Sequence, residues 1–109
     1  MAKKINLIPL NPHGIVGDDG AALWRSMIDR LRTAYPVWAV LLDRGYPATM
    51  HTNMRFERYG REDGVAVSVG FSGQEAFSAY QIQKNVEVIE LALEKFNVRI
   101  STFIDSQEG

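Results

Sequence analysis

At 109 residues, 46% hydrophobic and 23% charged, the chain has the make-up of one globular domain able to bury roughly two thirds of its unfolded surface. It contains no cysteine, which excludes a disulfide framework, a thiolate metal site and a thiol nucleophile. A formal charge of −1 argues against a broad electrostatic surface for nucleic acid, and no apolar run approaches the ~20 residues of a membrane span.

The opening MAKKINLIPLNPHG has two lysines, but its apolar run is too short and too interrupted by proline for a signal peptide. A cytoplasmic protein is therefore expected. Within it, residues 4–10 read as a first strand, and Pro9, lacking an N–H, pushes that strand to a sheet edge. A Gly- and Asx-rich loop follows. Asp18 or Asp19 suits the N-cap of a helix over residues 20–35, whose ridge is Trp24, Ile28, Leu31 and Tyr35 and whose stop is Pro36. The six apolar residues 37–42 are too few to separate a buried strand from a helical turn. The valines among them and the nearby Pro36 and Gly45 favour a strand. Residues 43–53, with Gly45 and Pro47, read as a connector.

A hairpin is expected next, with residues 54–59 and 65–71 flanking a five-residue loop that has glycine at both ends. Val65, Val67, Val69 and Phe71 form a bulky face that should meet the helices, and Ala66, Ser68 and Gly70 a small one. Residues 72–82 admit two readings. Ser72 and Glu75 fit a capping box that would start a long helix, but Phe77 and Tyr80 would then point roughly 150° away from its ridge. We read the segment as a third meander strand. The ridge itself is Ile82, Val86, Ile89, Leu93 and Phe96, closed by Asn97 in the left-handed conformation. The β-branched residues 98–104 then make a final strand before a polar tail.

These elements predict a single α+β domain over residues 1–109. Two helices should pack on one face of a mainly antiparallel sheet of four to five strands. With the long helix, and with residues 37–42 not counted as a strand, the order becomes βαββαβ, the ferredoxin-like pattern.

Motifs for chemistry are sparse. Gly14, Gly17 and Gly20 precede a helix where a phosphate loop would sit, but the spacing is wrong for the dinucleotide fingerprint, no Gly-Lys-Ser/Thr follows for a P-loop, and Asp18 and Asp19 oppose an anion. His13 and His51 are the two histidines; with Asp18, Asp19 and Arg55 they would line a small-molecule pocket if their loops met. No spacing in that set supports a metal site, and no cofactor is expected. Arg55, Arg58 and Arg61 interleave with Phe56 and Tyr59, but Glu57, Glu62 and Asp63 neutralise them, so a nucleic-acid partner is not favoured. Off the ridge of the last helix, Glu87, Glu90 and Glu94 make an acidic stripe beside Val88 and Leu91, joined by Phe77 and Tyr80 if the helix is long. Apolar groups on a second face, edged by glutamates, suggest an interface. The expected function is a small non-enzymatic protein–protein interaction module: a regulator, inhibitor or assembly component, working as a homo-oligomer or on another protein. It would act through this helix face or through a sheet edge. The alternative is a small-molecule binding domain or minor enzyme with its pocket at residues 13–20.

Overall fold

A computed structural model describes residues 6–7, 18–56 and 61–105 of the chain. The element order is β1 (Asn6–Leu7), α1 (Asp18–Ala34), α2 (Pro36–Leu42), β2 (Tyr46–Phe56), β3 (Arg61–Ser72), α3 (Ala76–Lys84), α4 (Val86–Ala92) and β4 (Val98–Asp105). Strands β1 to β4 lie in chain order across one sheet. β1 and β3 flank β2 antiparallel, and β4 runs parallel to β3. A parallel neighbour cannot be reached by a tight turn, so α3 and α4 form the crossover between β3 and β4. The sheet is thus mixed, with two antiparallel pairings and one parallel. Counting consecutive helices together, the element order reduces to βαββαβ, but the parallel strands are direct neighbours with no third strand between them.

Helices and sheet are held by one apolar core. Val65, Val67, Val69 and Phe71 project from β3 into it, as their alternation predicts, together with Met50 of β2 and Val98 and Ile100 of β4. Trp24, Met27, Ile28 and Leu31 of α1 meet them from above, beside Ile82 of α3, Ile89 of α4 and Leu93. Val86 and Phe96 complete the expected ridge, half-buried against the core. Asn97 then turns the chain at φ 52°, ψ 53°. Its carbonyl accepts the Val65 N–H at 3.0 Å, and its amide donates to Asp63 at 3.3 Å, so the helix end is tied directly to β3.

The small face of β3 serves a different purpose. Gly70 lies between Tyr46 of β2 and Phe103 of β4, and a Cβ there would come within 2.6 Å of the Tyr46 ring and 2.9 Å of the Phe103 ring. Nearby, Ser68 and Ser101 share a hydroxyl hydrogen bond of 3.2 Å.

Three expectations are corrected. Residues 37–42 are helical: Pro36 does not end the helical path but opens α2, where its missing N–H costs nothing. Ala39 and Leu42 are buried three apart, while Val37 and Val40 face solvent. Residues 46–53, read as a connector, belong to β2. Pro47 is accommodated because it lies beyond the stretch paired with β1 and beside a register shift, and Asn53 takes φ 59° at another shift. Residues 72–82, read as a strand, are the last residue of β3 (Ser72), a 3-10 turn (Gly73–Glu75) and the first part of α3. The capping box does not form. Glu75 instead accepts from the Ser78 hydroxyl at 3.0 Å and from Arg44 at 3.4 Å.

Candidate protein-interaction face

α3 and α4 are nearly one helix with a kink at Asn85. The Asn85 N–H donates to the Gln81 carbonyl at 3.2 Å and the Ile89 N–H to the Asn85 carbonyl at 3.1 Å, so the helical path continues through the break. The Asn85 side-chain amide also donates to the Gln81 carbonyl, at 2.8 Å, at the residue whose φ −111° and ψ 21° leave the helical region. Because rotation is preserved, residues spaced by three, four and seven stay aligned across the kink. Ile82, Ile89 and Leu93 take the inner side and are fully buried. On the outer side stand Phe77, Tyr80, Val88 and Leu91, which are 68%, 60%, 41% and 58% exposed. Lys84 completes the outer stripe, its ammonium 5.7 Å from the centre of the Tyr80 ring.

The flank facing β4 is polar and occupied. β4 is the last strand of the sheet, and two side chains of the crossover accept its outward N–H groups. Glu90 accepts from Ile100 at 2.7 Å, and Gln83 accepts from Thr102 N–H at 3.2 Å and from the Thr102 hydroxyl at 3.0 Å. Glu90 also lies 3.8 Å from Arg99. Expected as part of an exposed acidic rim, Glu90 is instead 3% exposed. It is the one carboxylate of that stripe turned inward, because the strand edge supplies the hydrogen bond that its burial requires. Glu87 and Glu94 do remain exposed beside Val88 and Leu91. The two bonds also cover part of the edge that a partner strand would have used.

α3 and β4 border an open groove of about 240 Å³, lined by Ala76, Ala79, Tyr80, Gln83, Thr102, Phe103 and Ile104. Phe103 and Ile104 are partly exposed there. At the strand's end, the Tyr46 hydroxyl donates to Asp105 at 2.7 Å. That hydrogen bond raises the tyrosine pKa above 10.0, with partial burial and the adjacent carboxylate acting in the same direction.

The alternative pocket residues fall on α1, on β2 and outside the described residues. Asp18 and Asp19 begin α1, while His51 and Arg55 lie along β2, where His51 is in register with Leu7 and Ala66. His13 and most of the Gly-rich loop fall outside the described residues, as do Arg58 and Tyr59. Among the described residues, no group of three or more histidine, aspartate or glutamate side chains is placed to hold a metal ion. None of the helices described is long and apolar enough to cross a membrane.

Sequence reasoning missed the roles of Gln83, Phe103 and Ile104. Gln83 and Glu90 are seven apart and therefore share a helix flank, which was the available signal. For Phe103 and Ile104 there was none, since β alternation does not tell where the covering helix stops. No protein-family model, no characterised protein and no solved structure matches this chain.

Proposed function

We propose that the chain is a small non-enzymatic interaction module, a regulator, inhibitor or assembly component, that binds protein through the outer face of α3 and α4. The observation behind this reading is the apolar stripe of Phe77, Tyr80, Val88 and Leu91, exposed on a helix pair whose opposite side already supplies the core. A helix that covers a core needs only one apolar side; its second side is ordinarily polar. Single exposed apolar residues are commonplace, but four aligned ones that include two aromatics have the make-up of an interface centre. Glu87 and Glu94 beside them would form a rim that tunes partner choice. The groove beside Tyr80 extends the same surface toward β4.

The test is native mass spectrometry of the protein purified from its own host, alongside Leu91→Asp. The wild-type chain is expected with a partner chain bound. The variant should be a bare monomer with an unchanged circular dichroism spectrum. Association that survives Leu91→Asp in a folded protein would refute this assignment of the face.

A further inference from the structure

We propose that the occupant of the outer α3–α4 face is a second copy of this chain, docked antiparallel, so that Lys84 of each copy meets Glu87 of the other. The inference rests on the reading of that face given above. Charge along the stripe is uneven. Lys84 lies in its N-terminal half, drawn over the Tyr80 ring, whereas exposed Glu87 and Glu94 lie in its C-terminal half, where Lys95 offsets one of them. A parallel pairing of two such helices would set Lys84 against Lys84 and Glu87 against Glu87, adding like-charge repulsion at each step. Reversing the second copy brings unlike halves together.

The spacing of the stripe fits that reversal. Tyr80 and Leu91 are equidistant in sequence from the boundary between Asn85 and Val86, and so are Lys84 and Glu87. A two-fold axis through the kink therefore sets Tyr80 against Leu91 and Lys84 against Glu87, each pair occurring twice, with Phe77 level with Glu94 and Val88 level with Gln83. Such an interface is self-complementary, as a two-fold dimer requires. The aromatic–aliphatic pairs supply the buried area and the ion pairs fix direction and register. Glu90 and Gln83 keep their hydrogen bonds to β4 and supply no ion pair.

Sedimentation equilibrium at low salt tests the proposal on the full chain. The wild type is expected to be a dimer. Lys84→Glu and Glu87→Lys should each weaken it roughly tenfold or more, since one substitution turns two attractions into two repulsions. The double variant, with the charges exchanged, should recover to within about threefold of wild type, because the two sites are coupled. Circular dichroism on all three variants keeps unfolding apart from dissociation. A monomeric wild type overturns the second copy as occupant. A dimer that Leu91→Asp dissociates but charge reversal leaves alone overturns the antiparallel register and spares the face. A dimer indifferent to Leu91→Asp overturns both.

Discussion

The carboxylate of Glu90 accepts the backbone N–H of Ile100 at 2.7 Å, fastening α4 to the outer edge of β4. Seven residues earlier, Gln83 does the same for Thr102. Together they stand in for a neighbouring strand that β4 lacks among the described residues. Glu90→Ala would leave the Ile100 N–H without its acceptor, at a cost of about 1–3 kcal/mol. Glu90→Gln, which keeps an acceptor, should cost less than Glu90→Ala. Urea unfolding measures the loss, and amide hydrogen exchange locates it: exchange at Ile100 should quicken in Glu90→Ala, and exchange at Thr102 in Gln83→Ala. Unchanged exchange at both amides would mean that neither side chain protects the edge.

Ile89 and Leu91 are two residues apart on α4 and face opposite ways, one fully buried and the other 58% exposed. Ile89→Ala should therefore destabilise the fold by about 2–5 kcal/mol, the range for a truncated core aliphatic. Leu91→Ala should shift folding stability by no more than about 0.5 kcal/mol, since it empties no cavity. Chemical denaturation at a protein concentration low enough to keep the chain monomeric makes the comparison. Equal losses would contradict the orientation of α4.

Tyr46 supplies a pH dependence with a defined sign. Its folded pKa is raised by the hydrogen bond to Asp105, so the folded chain holds that proton after the unfolded chain has lost it. The resulting stability is fully present below the unfolded value of 10.0 and is lost as pH rises through the folded value. Wild-type stability should therefore fall above about pH 10 more steeply than that of Tyr46→Phe. Thermal melts of the two proteins between neutral and strongly alkaline pH provide the check, and parallel curves would refute the linkage.

Much of the core was legible because its signals are periodic. Val65, Val67, Val69 and Phe71 alternate, and Ile82, Ile89 and Leu93 follow the helical repeat, so both inner faces could be read from spacing alone. Asn97 was legible because few residues other than glycine tolerate the left-handed region. The errors fall where length or a single proline had to decide. Six apolar residues after Pro36 fit a strand or a helical turn equally, and tertiary packing of Ala39 and Leu42 settles the matter. Pro47 suggests a break until β2 is seen to change register beside it. For the candidate face, Val88 and Leu91 were visible as departures from the ridge. The inward turn of Glu90 was not, because it depends on where a strand ten residues later comes to lie.

Gly70 shows how an absent side chain can govern three strands at once. Tyr46 and Phe103 belong to strands that are not neighbours, yet both rings reach over the same bare backbone of β3. The vacancy works as a socket shared from two sides. A methyl group there would have to displace one ring or both, and with Tyr46 would go its hold on Asp105. That end of β2, β3 and β4 is therefore held together over a residue that offers no side chain of its own.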